Sequence, residues 1–248
     1  MEGYGTTTYG ELNAERYDAM YQESMQTETQ ACVEALAELA GGERVLELAI
    51  GTGRVALPLA ALGLSVHGVE ASIAMVAELR KKRGGDAIPV EIGDMAETSV
   101  EGTFDLVYIV FNTIFNLTTQ EAQVRCFQNV SRHLKAGGLF VVETVVPDFS
   151  EYVDGQRMKG SWAEMHSARF EISIHDRIAQ TVAFQRVVIS DDSTEMVPHF
   201  MRYAWPSELD LMAQLAGLER RERWAWWDKS PFTTTSKSHV TVYAKSAT

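Results

Sequence analysis

The segment Glu47-Leu48-Ala49-Ile50-Gly51-Thr52-Gly53-Arg54 constrains this chain more than any other. It closes an apolar run over residues 44–50 with a glycine turn. The residues after the turn, 54–62, have helical spacing and stop at Gly63. A chain that passes from strand to helix through bare glycine backbone leaves N–H groups at the helix start open to a ligand. Pro58 falls in the first turn of that helix, where a missing N–H is tolerated. The same rhythm then repeats. Residues 65–70 read as a strand, and Ser72 caps a helix reaching Arg83. A minimal strand follows at 90–92 and a strong apolar strand at 104–111. A helix starts near Thr118, with Glu121 as its capping partner, and ends at Leu134 before Gly137-Gly138. Residues 139–145 form the next strand. Near-continuous apolar strands alternating with helices predict a parallel sheet buried on both faces in an α/β fold.

The flanks behave differently. Residues 11–20 and 27–40 read as two helices. The second carries a Thr27/Gln30 capping pattern, with Val33, Leu36 and Leu39 at helical spacing before Gly41-Gly42. After Pro147 the rhythm breaks. Residues 148–160 are loop-like, and period-two runs follow at 169–175, 179–189 and 196–203, with Asp191-Asp192-Ser193 as a turn. Pro206 opens a helix that Gly217 closes, and two strands, 220–227 and 239–244, end the chain. The expected units are a helical cover (1–42), an α/β core (43–147), an antiparallel β lid (148–204) and a segment completing the core sheet (205–248).

Composition narrows the chemistry. The 22 Lys and Arg against 34 Asp and Glu give a formal charge of −12, the wrong sign for a protein that neutralises phosphates, so nucleic acid is excluded as a partner. No window approaches the roughly 20 apolar residues of a membrane span. The start of the chain, residues 1–10, is polar rather than leader-like. Cys32 and Cys126 lie far apart, which fits a reducing, cytoplasmic home, and no His, Cys, Asp and Glu spacing points to a metal.

Three acids stand at three successive strand ends: Glu47 before the glycine turn, Glu70 after the second strand and Asp94, followed by Met95, after the third. Gly51-x-Gly53-x-x-Ala56 also fits a dinucleotide fingerprint. However, Glu47 would place negative charge beside a pyrophosphate, whereas it favours a sulfonium and an ammonium. Together with Phe104-Asp105-Leu106-Val107 and Leu134-Lys135-Ala136-Gly137-Gly138, the stretch from Arg44 to Val146 resembles the class I S-adenosylmethionine-dependent methyltransferases. The resemblance implies a Rossmann-like, seven-stranded, mostly parallel sheet with helices on both faces. It also implies S-adenosylmethionine as cofactor. In this reading Glu47, Gly51 and Gly53 hold the methionine part, Glu70 the ribose hydroxyls, and Asp94 with Met95 borders the adenine. Tyr17, Tyr21, Ala49, Arg54, Ala71 and Phe111 complete the expected cofactor shell.

Tyr9-x7-Tyr17-Asp18, the loop from Phe111 to Leu117 and the β insertion are similar to small bacterial N-methyltransferases that act on aminosugars or on peptide α-amines in natural-product pathways. The aminosugar enzymes have a His where this chain has Asn116. The resemblance implies methyl transfer to nitrogen of a small molecule or short peptide, by a monomer or homodimer. Tyr9, Asn112 and Asn116 are expected to position the acceptor rather than act as a strong base. Trp226, Trp227, His199 and His239 are expected to wall it. Alternative readings are an O-methyltransferase, an NAD-type dehydrogenase using the glycine fingerprint, and a methyltransferase-like binding module without catalysis.

Overall fold

A computed structural model describes residues 1–21 and 26–247, with Tyr21 described in its backbone only. Two helices, α1 (Thr8–Tyr21) and α2 (Gln26–Leu39), precede the first strand. Thr27 lies inside α2 rather than at its cap, and Gln30 donates to Glu34 one turn on, so the capping pair expected there does not form. The alternating unit then runs β1 (Arg44–Leu48), α3 (Ala56–Ala61), β2 (Ser65–Glu70), α4 (Ile73–Arg80), β3 (Val90–Ile92), β4 (Phe104–Ile109), α5 (Gln120–His133) and β5 (Leu134–Val145). Ser72 caps α4 by accepting from the Met75 N–H, and Thr119, one residue past the expected start, caps α5 by accepting from Ala122. Pro58 sits in the first turn of α3.

The main sheet has seven strands in the order β10-β11-β5-β4-β1-β2-β3, where β10 is Leu218–Trp224 and β11 is Ser238–Lys245. β11 pairs antiparallel with β5, while β5, β4, β1, β2 and β3 are parallel. Each face has its own core. Leu46, Leu48, Val107 and Phe140 pack with Phe127 of α5 and Leu209 of α6 (Pro206–Leu215). Val45, Leu106, Tyr108 and Val141 pack with Leu36 of α2 and Leu59 of α3. Burial on both faces explains why these strands read as unbroken apolar runs.

Between β5 and α6 the chain builds a separate four-stranded antiparallel sheet, β6 (Gln156–Ala163), β7 (Ser167–Asp176), β8 (Thr181–Ser190) and β9 (Thr194–Arg202). The sequence gives three of these strands and reads part of the fourth as loop. β6 is an edge strand with nearly every side chain exposed, so it carries no apolar alternation to detect. This sheet is fastened to the core through Arg202, which is 5% exposed. Its guanidinium donates to Gln123 Oε1 at 2.6 Å, Gln180 Oε1 at 3.0 Å and Glu208 Oε1 at 2.7 Å, and Gln123 Nε2 donates back to the Arg202 carbonyl. Removing the cation strands a carboxylate and two amide oxygens in a dry environment. Arg202→Met is therefore expected to cost about 3 kcal/mol, read as a lower midpoint in equilibrium urea unfolding.

Candidate active site

All the polar groups singled out at strand ends lie along the carboxyl edge of the parallel sheet, where open α/β folds bind ligands. The loop after β1 is wound through left-handed backbone. Ala49 has φ +58°, Gly51 +56° and Gly53 +80°. A Cβ at Gly53 would lie 2.3 Å from Leu79 Cδ1, so this turn packs directly on α4. Two N–H groups are drawn onto Glu70, from Gly51 to Oε2 at 2.8 Å and from Ser72 to Oε1 at 2.9 Å. Burial raises the Glu70 carboxyl above its ordinary pKa, against the pull of those two donors. With Ala71, Gly93, Met95, Val69 and Leu117, Glu70 lines a cleft that Tyr9 and Tyr17 of α1 roof. Asp94 lies between Gly93 and Met95, and its Oδ1 accepts from the Ala96 N–H at 2.8 Å.

A deeper recess, continuous with that cleft through Tyr17, Ala49 and Gly51, is bounded by Glu47, Arg54, Val110, Phe111 and Thr113. Glu47 is 4% exposed and accepts from the Tyr108 hydroxyl at 2.8 Å. Burial pushes its pKa up to about 8, while the Tyr108 hydroxyl and the Arg54 charge pull the other way. Arg54 donates to Thr29 Oγ1 of α2 and lies over the Phe111 ring. The Tyr21 side chain lies outside the described residues.

Beyond β4 the chain ends its strand at Ile109, earlier than the apolar run predicts, because Phe111 and Asn112 both have φ +60°. Two contacts from β5 hold this unfavourable backbone. The Phe111 N–H donates to Glu143 Oε2 at 2.9 Å, and Asn112 Oδ1 accepts from the Val145 N–H at 2.6 Å. The Asn112 side chain is thus engaged with the backbone, although the residue still lines the cavity described next. Glu143 was not singled out from sequence. The available signal was an acid inside an otherwise apolar strand, since such a group is buried only with partners.

A second cavity, of about 260 Å³ and open to solvent, lies where α1, the loop after β4 and the inner face of the β insertion meet. Tyr9, Tyr17, Phe111, Thr113 and Asn116 line both this cavity and the clefts below it, so the spaces are contiguous. From the insertion come Glu171, Phe184, Arg186, Val197, His199 and Met201. His199 Nε2 lies 2.9 Å from Asn116 Oδ1, and its ring centroid is 4.8 Å from that of Tyr9. Burial, helped by the charge of Arg186, lowers its pKa to about 4. The loop after β4 carries no titrating group of its own, but the insertion brings a neutral imidazole against it.

Three residues expected to wall the acceptor stand elsewhere. His239 is fully buried between Thr144 Oγ1, at 2.9 Å, and Thr241 Oγ1, at 2.8 Å, and burial lowers its pKa to about 3. Pairing of β11 with β5 puts it opposite Thr144 within the sheet. Trp227, 4% exposed, packs in the core on the α2 face and hydrogen-bonds Glu143, with Trp226 beside it. Neither tryptophan lines that second cavity. No cluster of His, Cys, Asp and Glu suited to a metal occurs among the described residues.

A family model described as a methyltransferase domain matches residues 45–138. Among solved structures, the CcbJ methyltransferase from Streptomyces caelestis is 36% identical, superposes with a TM-score of 0.90, and covers 98% of this chain and 100% of its own. The cypemycin N-terminal methyltransferase of a Streptomyces species is 26% identical over 204 residues, 81% of this chain and 82% of that one. S-adenosylmethionine-bound CalS10, an amino pentose methyltransferase from Micromonospora echinaspora, shares the fold with a TM-score of 0.69 at 23% identity, over 93% of this chain and 96% of its own. The chain belongs to the class I S-adenosylmethionine-dependent methyltransferases. Its cofactor is S-adenosylmethionine, and the dehydrogenase reading of the glycine turn is set aside.

The residues present suit that cofactor. A carboxyl held near pKa 8 by burial, with one hydroxyl and one guanidinium for relief, gains most from a neighbouring cation. A carboxyl with a pKa near 8 is protonated below that pH, and a ligand ammonium placed beside it would favour the ionised form and displace the proton. Calorimetry of S-adenosylhomocysteine in buffers of different ionisation enthalpy is expected to show release of about one proton near neutral pH. Affinity should rise by up to about tenfold per pH unit towards pH 8 and level off above it. Both effects should vanish in Glu47→Gln, and a pH-independent wild-type affinity would contradict this role.

Proposed function

We propose that this enzyme transfers the methyl group to a nitrogen of a small molecule or short peptide in natural-product biosynthesis. The observation that carries the reading is the state of His199. Held neutral with a pKa near 4, it is a much weaker base for activating a hydroxyl than an ordinary imidazole. A neutral amine needs no such base, because it already presents a lone pair. The similarity to a cypemycin N-terminal methyltransferase and to an amino pentose methyltransferase supports the same choice.

When bound, S-adenosylmethionine supplies an electrophilic methyl carbon on its sulfonium. The residues of this chain then have a positioning task, which lowers the barrier by removing translational and rotational freedom from the approach. Glu47 sets the charge at the methionine end. Glu70 serves the ribose hydroxyls, and Asp94 and Met95 the adenine. Tyr9 and Asn116 orient the acceptor nitrogen, and Asn112 acts through the loop it fixes. The β insertion, residues 148–204, roofs the acceptor while leaving the cofactor to the core (43–147), under the helical cover (1–42), with 205–248 completing the sheet. Buried free Cys32 and Cys126 support a reducing, cytoplasmic setting. A monomer or homodimer suffices for this site.

Across amine acceptors of graded basicity, the midpoint of the pH–rate profile is expected to follow the acceptor's own pKa. Asn116→Ala should slow transfer by about ten- to a hundredfold, in the range of a lost positioning contact, without moving that midpoint. A midpoint that ignores acceptor basicity and disappears in His199→Gln would replace positioning with general-base catalysis.

A further inference from the structure

On one face of α1, Tyr9, Asn13 and Tyr17 line the acceptor cavity at successive turns, and Met20 continues that face. Asn13 is 1% exposed. Its Nδ2 donates to the Tyr9 carbonyl at 2.7 Å, which fixes the amide orientation and leaves Oδ1 pointing elsewhere. That Oδ1 is buried and has no hydrogen-bond partner among the described residues. A buried acceptor without a donor is costly, and natural structures rarely keep one without a use.

Across the cavity stands Arg186 of β8. Its hydrogen-bond contact among the described residues is Met20 Sδ at 3.5 Å, a weak acceptor. The carboxylate beside it in the cavity wall, Glu171, is held by Arg157 at 2.7 Å, and Arg186 forms no ion pair among the described residues. A partly buried guanidinium that faces a cavity and forms no ion pair among the described residues is a ready fork for a carboxylate. One such cation, with Glu171 on the same wall, suits a single negative charge rather than a diphosphate.

We propose that Arg186 and Asn13 form the recognition subsite for the acceptor, and that the acceptor is an amine carrying a carboxylate. The carboxylate pairs with the Arg186 guanidinium, and an amine N–H is donated to Asn13 Oδ1, leaving the nitrogen lone pair for the methyl carbon.

This inference rests on the N-methylation reading, and the test separates the two. The probes are short alkylamines, each as the bare amine, the α-carboxylate, the α-carboxamide and the α-phosphonate. They are titrated calorimetrically into the enzyme saturated with S-adenosylhomocysteine, so no turnover is needed. The α-carboxylates are expected to bind about ten- to a hundredfold more tightly than the carboxamides, and Arg186→Gln should abolish that ratio. Asn13→Leu should weaken every amine by a common factor and leave the carboxylate-to-carboxamide ratio intact. Equal affinity across the forms, immeasurable binding included, would overturn the subsite, as would a preference that survives Arg186→Gln. A phosphonate preferred to the carboxylate would overturn the carboxylate assignment. Failure of S-adenosylhomocysteine to bind would instead strike the methyltransferase reading itself.

Discussion

A carboxyl group buried at the end of the central parallel strand governs the arrangement around it. Glu47 lies among apolar residues at 4% exposure, where a lone ionised carboxylate is expensive. The fold meets that cost in parts. Tyr108, its register partner on β4, turns its hydroxyl onto Glu47, and Arg54 from the glycine turn contributes charge. What remains is a group whose pKa stays near 8 and whose natural complement is a ligand cation. The strand, the glycine turn and the start of α3 therefore meet at one side chain.

A second buried acid transmits that order outward. Glu143 on β5 accepts from the Phe111 N–H and the Trp227 indole, and so stabilises the left-handed pair Phe111-Asn112. Non-glycine residues in that region are strained and persist only when neighbours hold them there. Phe111 then stacks under Arg54, and Asn116, a few residues on, faces the acceptor cavity. Trp227, by sequence a plausible acceptor wall, serves this internal bracing instead.

The two sheets divide the work by different physics. The central strands of the seven-stranded sheet are buried on both faces and carry the acids Glu47 and Glu70 near their ends. The four-stranded sheet has one face turned to the acceptor cavity, and that face carries polar groups: Glu171, Arg186 and His199. Its attachment through Arg202, Glu208 and Gln123 is polar but closed, with the cation met by oxygen atoms. That fixed placement puts a buried imidazole and a guanidinium without an ion pair among the described residues on one wall.

The α/β alternation, the seven core strands to within a few residues, the glycine turn and the acids at successive strand ends follow from local features of the sequence. Periodicity, caps and glycine positions are properties of neighbouring residues, so they survive without tertiary information. β6 escaped because an exposed edge strand has no apolar alternation. The acceptor cavity escaped more fully. Tyr9, Asn13, Asn116, Arg186 and His199 come from three separate parts of the chain. Their meeting depends on how α1 and the insertion sit against the sheet, which no short-range pattern encodes. His239 and His199 look alike in sequence, each a lone histidine on a strand. Strand pairing sends one between Thr144 and Thr241 and the other to Asn116. The fold and the cofactor are legible in local chemistry that repeats along the chain. Which side chains line the cavity beneath the insertion follows from long-range packing, which no local pattern carries.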